Sequence, residues 1–169
     1  RRVVTLKINH GKSEVFNGHG TQCCVDFLRG GTGDGFVEEN VEFARKQIKN
    51  IKWNHDVGFM IYCSFGNGLR LTGDPEYKEV IVEAARSLST RFRPVAGIIQ
   101  SWDVDRGWIS ERGWECPVII DNMMNLELLF AATRLSGDST FYKVAVSHVD
   151  RTMKEQYRPD GSCYHVVDY

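Results

Sequence analysis

Asp56 and Asp121 are the residues whose type and placement point first to chemistry. Each opens an apolar stretch, His55-Asp56-Val57-Gly58-Phe59-Met60 and Ile119-Ile120-Asp121-Asn122-Met123-Met124. Each precedes a Gly-Asp step, Gly73-Asp74 or Gly137-Asp138, by nearly the same interval. Either aspartate alone reads as a helix N-cap, its carboxylate taking a free backbone N–H. Two at one phase of a repeat have a second reading. Paired carboxylates, one kept protonated by burial and by its partner's charge, supply the acid and base of a sugar-cleaving enzyme. His55 reads equally as a helix-end histidine or a substrate contact. His165 lies in the alternating run Cys163-Tyr164-His165-Val166-Val167-Asp168, which reads as an extended rim segment. A lone exposed Trp can simply pack down, but Trp102, Trp108 and Trp114 on one loop read as a stacking platform for a sugar ring. His10 and His148 read as surface residues. The run Gly30-Gly31-Thr32-Gly33-Asp34-Gly35 lacks the Lys-Ser/Thr of a phosphate-binding loop.

The elements that must position these residues repeat. Arg70-Leu71-Thr72-Gly73-Asp74 returns as Arg134-Leu135-Ser136-Gly137-Asp138, with a weaker copy at Thr32-Gly33-Asp34-Gly35-Phe36. In each copy the glycine can end a helix in left-handed geometry, and the aspartate after it can cap the next. An aromatic just beyond, Tyr77 or Phe141, then packs back on the first helix. The spacing predicts buried inner helices over Val57 to Leu71 and Ile119 to Leu135, with Gly58, Gly66 and Gly68 allowing close approach. It predicts amphipathic outer helices over Pro75 to Arg91 and Ser139 to Gln156. Their apolar stripes are Val80, Ile81, Ala84, Ala85 and Leu88, and Tyr142, Ala145, Val146, Val149 and Met153. Arg93-Pro94 and Arg158-Pro159 each end an outer helix and start an extended segment. Repeated helical hairpins of this kind describe an all-α toroid or solenoid. Equivalent inner-helix starts lie at one end of a toroid, so both aspartates face one central cavity.

Composition bounds the alternatives. The 169 residues suit one domain, and 42% hydrophobic with 11% aromatic content can bury a core. Basic and acidic residues number 21 and 22, a net charge of −1, which disfavours nucleic-acid and membrane-surface partners. No signal peptide is visible, which leaves a cytoplasmic or periplasmic location as the expectation. Cys23, Cys24, Cys63, Cys116 and Cys163 are odd in number and have no C-x-x-C spacing, so free thiols are expected rather than a zinc or disulfide framework.

Three blocks, His55 to Gly68, Pro117 to Glu127 and Ser162 to Tyr169, resemble the unsaturated glucuronyl hydrolases, glycoside hydrolase family 88. The resemblance covers residues 32–169, and residues 1–31 do not match. It implies an (α/α)6 barrel, of which about three hairpins are present here as an N-terminal half. The implied substrate is the unsaturated uronic acid that polysaccharide lyases leave at the non-reducing end of oligosaccharides. The implied reaction is hydration of the C4–C5 double bond. The position of Asp121 implies the proton donor and base, and that of Asp56 its charged assistant. His55, Trp102 and His165 match positions that line the sugar. The resemblance calls for no metal or cofactor. The rival reading is a non-catalytic toroid module that binds carbohydrate or protein.

Overall fold

The computed structural model describes residues 45, 46, 48, 55–105 and 107–169. The Thr32–Phe36 copy of the repeat, His10, Cys23, Cys24 and the Gly30–Gly35 run lie outside them. Two helical hairpins account for most of the described chain. The first inner helix runs as α1 (Val57–Ile61), a π-helical turn (Tyr62–Gly66) and α2 (Asn67–Thr72); its outer partner is α3 (Pro75–Ser89). The second inner helix is a 3-10 turn (Ile120–Asn125) followed by α5 (Leu126–Ser136), and its partner is α6 (Ser139–Glu155). A short helix α4 (Gly107–Ser110) lies in the connecting loop. Strands β1 (Phe92–Arg93) and β2 (Ile98–Ile99) pair antiparallel, as do β3 (Pro117–Ile119) and β4 (Val166–Asp168).

The hairpin turns form as their chemistry dictates. Gly73 and Gly137 sit at φ 71° and 77°, the left-handed C-cap geometry. The carboxylates of Asp74 and Asp138 accept the N–H groups of Glu76 (2.9 Å) and Thr140 (2.8 Å). For Asp74 such a cap contributes about 1 kcal/mol. Tyr77 folds back edge-on to Phe65, with ring centroids 5.3 Å apart. It occupies the space a side chain at Gly68 would need. Phe141 is buried in the same core.

That core lies between the inner and outer layers. Val80, Ile81, Ala84, Ala85 and Leu88 of α3 are all fully buried, as expected, against Leu128 and Leu129 of α5. Each large aliphatic side chain there adds about 1.5–3 kcal/mol of burial. The first inner helix packs on both α3 and α5, which places the hairpins side by side around an axis. This is the α/α toroid architecture, in part.

Three expectations need correction. The first inner helix is interrupted by a π turn, where the Ser64 hydroxyl donates back to the carbonyls of Met60 (2.9 Å) and Ile61 (3.2 Å) and loosens the regular ladder. The second does not begin as an α-helix. Pro117–Ile119 pairs with β4, and the Asn122 side chain donates to the Ile99 carbonyl (2.7 Å), so regular α geometry starts only at Leu126. On α6 the buried stripe is Phe141, Val144, Ala145, His148 and Thr152, whereas Tyr142 and Met153 are exposed. His148 is therefore a core residue and not a surface one. The backbone N–H of Ile99 on β2 needs an acceptor inside the core, and His148 Nδ1 supplies it at 3.1 Å.

Candidate functional site

Asp56 takes the N-cap position of α1, yet its side chain makes no cap hydrogen bond. It lies instead beside the imidazole of the buried His55, with Nε2 to Oδ1 3.0 Å. The same nitrogen is 3.3 Å from Asp121 Oδ1. Asp121 stands in the first turn of the 3-10 segment, also without a capping bond. The N-cap reading thus fails for both aspartates. A single imidazole nitrogen joins carboxylates that are 65 positions apart in the chain and equivalent in the repeat.

Local packing explains the meeting. Gly58 lies so close to Asn125 that a Cβ would fall 2.5–2.6 Å from its Oδ1, Cα and Cβ atoms. Asn125 Oδ1 also accepts the Phe59 N–H at 3.2 Å, and its Nδ2 donates to Asn122 Oδ1 at 2.8 Å. The buried asparagines therefore fasten the start of one inner helix to the start of the other. From the other side, Ile120 N donates to the His165 carbonyl (3.0 Å), and Ile119 N to Ser101 Oγ (3.0 Å). These contacts fix the backbone on which Asp121 stands.

The electrostatics are uneven. Burial pushes the Asp56 carboxyl above its ordinary pKa, the Asp121 charge adds to the rise, and His55 opposes it. The Asp121 side chain is 47% exposed against 24% for Asp56. In the free chain, then, burial favours a proton on Asp56, while Asp121 is the member a substrate can reach. His55 Nε2 meets both carboxylates as a donor, and Nδ1 is buried with no hydrogen-bond partner among the described residues.

Trp102 stands edge-on to His55, with centroids 5.6 Å apart. Its turn is held by Arg91, a buried guanidinium that donates to the Gln100 carbonyl (2.7 Å) and to Asp103 (3.2 Å). Gln100 Nε2 donates to the Trp102 carbonyl (2.8 Å). His165 is different. Its backbone braces Ile120, but its exposed imidazole forms no hydrogen bond or ion pair with a described residue. The structure thus brings together four of the five expected site residues and leaves the fifth at the edge. Asn122, Asn125, Ser101 and Arg91 escaped the sequence reading. Two asparagines one helical turn apart inside an apolar run were the available signal.

One ligand atom each from His55, Asp56 and Asp121 lies within 4.8 Å of the others, a donor set that could hold a divalent cation. Metal ligation at His55 Nε2 would need that nitrogen to offer its lone pair in place of its contacts with the two carboxylates. A separate cavity of about 440 Å³ lies between the inner helices, lined by Tyr62, Cys63, Arg70, Glu127 and Arg134, and touches none of the cluster. Cys63, Cys116 and Cys163 are free thiols. No helix among the described residues is long and apolar enough to cross a membrane.

No family model matches the chain. It is 50% identical over 142 residues to an unsaturated glucuronyl hydrolase of Formosa agariphila, a match that covers 82% of this chain and 34% of that protein. To an unsaturated chondroitin disaccharide hydrolase of Streptococcus pneumoniae it is 33% identical over 112 residues, covering 66% of this chain and 27% of the relative. The solved structure of an unsaturated glucuronyl hydrolase specific for heparin superposes with a TM-score of 0.68 at 38% identity, over 89% of this chain and 39% of the other. The chain spans about a third of the length of the curated relatives it matches.

Proposed function

Because the chain belongs to the unsaturated glucuronyl hydrolase family, we propose that His55, Asp56 and Asp121 form the acid–base centre of an alkene-hydrating glycosidase. The observation that carries the reading is the pair of repeat-equivalent carboxylates held on one imidazole nitrogen at 3.0 and 3.3 Å. The substrate is the unsaturated uronic acid at the non-reducing end of a lyase-generated oligosaccharide. Nothing in the reaction needs a metal or cofactor.

Protonating the carbon of an enol ether needs a carboxylic acid that stays neutral near working pH. In the free chain burial favours that proton on Asp56. A bound sugar covers Asp121, the more exposed of the two carboxyls. The proton is then held by Asp121, which delivers it to C4. Positive charge develops at C5 and the ring oxygen, and the Asp56 carboxylate stabilises it. Asp121, now a base, takes a proton from the water that adds at C5. The resulting hemiketal opens, and the hemiacetal left at C1 expels the remaining sugar. His55 orients both carboxylates, and Trp102 and His165 line the ring.

The test is the ultraviolet absorbance of the conjugated double bond during incubation with unsaturated disaccharides. The signal should fall with the native chain, and Asp121→Asn should slow the fall by about 10²–10⁴-fold, the usual contribution of a positioned acid. Saturable binding with no loss of absorbance favours the non-catalytic sugar-binding module instead.

A further inference from the structure

Beyond the uronate site, we infer that the loop between Asp103 and Pro117 is a second subsite, for an oxyanion carried by the sugar next to the uronate. The inference rests on the uronate reading above. Its basis is an aromatic ladder that starts at the carboxylate cluster. Trp102 packs edge-on to His55 at 5.6 Å, Trp108 to Trp102 at 5.6 Å, and Trp114 to Trp108 at 6.2 Å. The steps are close to the length of one sugar residue, and Trp108 at the second step is 54% exposed. Exposed indoles beside a sugar site offer apolar faces to pyranose C–H groups.

A cation completes the ladder. Arg112 Cζ lies 4.8 Å from the Trp108 ring centroid and 4.9 Å from that of Trp114. The guanidinium lies within cation–π distance of both rings, and its N–H donors are not engaged by any described residue. Arg112 is exposed, and its guanidinium forms no ion pair with any described residue. Such a fork matches a sulfate ester or carboxylate, which it can grip with two N–H groups.

The loop is also built to hold its shape. Ile109 is buried in the short helix that carries Trp108. Arg112 N closes the next turn on the Ile109 carbonyl at 3.0 Å. At the far end, the Asp168 carboxylate accepts the N–H groups of Glu115 (3.0 Å) and Cys116 (2.7 Å). The ladder and its cation are thus pinned at both ends, and the ladder's first ring stands against the imidazole that meets Asp121.

Calorimetric titration in the non-turning-over Asp121→Asn background tests this. Three unsaturated disaccharides share the uronate and differ in the second sugar: neutral, sulfated, or bearing a carboxylate. The anionic ligands should bind about tenfold tighter than the neutral one, and the arm that gains identifies the oxyanion. Arg112→Gln should erase that advantage and leave the neutral ligand unchanged, while Trp108→Ala weakens all three. Equal affinity for neutral and anionic ligands, or a preference that survives Arg112→Gln, overturns the subsite and leaves the uronate reading standing. Failure of all three to bind overturns the uronate reading itself.

Discussion

Gly58→Ala is the perturbation that most sharply separates close approach from incidental packing. The new Cβ would lie 2.5–2.6 Å from three atoms of Asn125, two of them Cα and Cβ, so no side-chain swing relieves the clash. Restoring ordinary contact moves the Asn125 turn back by about 1 Å. That displacement carries the Phe59 N–H, now 3.2 Å from Asn125 Oδ1, out of hydrogen-bond range. The His55–Asp121 contact at 3.3 Å lengthens with it. Overpacking costs about 1–3 kcal/mol, and the lost bond to the half-buried Phe59 N–H adds about 1 kcal/mol. A total of about 2–4 kcal/mol should lower Tm by roughly 5–15 °C in a chain of this size. Urea and thermal melts measure the loss, and affinity for an unsaturated disaccharide should fall with it. Gly66→Ala is the control, because the nearest atoms to its Cβ are ring atoms of Tyr62 on the same helix, a side chain that can shift. If Gly58→Ala matches the native chain within about 0.5 kcal/mol and binds equally well, the close approach does not position the cluster.

Other consequences concern protons, the Trp102 turn and metals. The raised pKa of Asp56 means that its contribution to stability is full below the unfolded aspartate value and is lost as pH rises through the folded one. Asp56→Asn should therefore be more stable than the native chain above that window and equal to it below, in urea melts at stepped pH. His148 has the opposite sign: burial, aided by the His55 charge, holds it down to about 4. Its contribution, about 3 kcal/mol, is present above the ordinary histidine value and lost as pH falls toward about 4; His148→Gln should flatten that acid limb. Arg91→Ala leaves the Gln100 carbonyl and Asp103 without their donor, so stability should drop by about 1–3 kcal/mol and tryptophan emission should shift as the Trp102 turn loosens. Chelation should leave turnover unchanged; a loss restored by added divalent cation assigns the His55–Asp56–Asp121 cluster to a metal instead.

The repeat was legible because its signals are local. Gly73-Asp74 and Gly137-Asp138 fix a C-cap and an N-cap within two residues, so hairpin boundaries could be read to within a residue or two at the outer helices. Pairing the aspartates needed only the phase of that repeat. What was hidden depends on tertiary partners. No periodicity shows that Asp56 will abandon its cap for His55, because that requires Asp121 to arrive from the next hairpin. His148 was misplaced because histidine usually favours a wet surface, and its acceptor role exists only once β2 lies against α6. Ile119 to Asn125 reads as helix on apolar content, yet Asn122 and Asn125 spend their amides on backbone and on one another. That diversion turns the segment into the 3-10 turn that presents Asp121.

Turnover of an unsaturated disaccharide in deuterium oxide labelled with heavy oxygen tests the central claim most directly, with the product read by NMR and mass spectrometry. Hydration initiated by the carboxylate pair predicts one deuterium at C4, loss of the double bond, and solvent oxygen at C5. A product that keeps its C4–C5 double bond and takes solvent oxygen at C1 would contradict it, because the pair would then be cleaving the glycosidic bond by direct displacement.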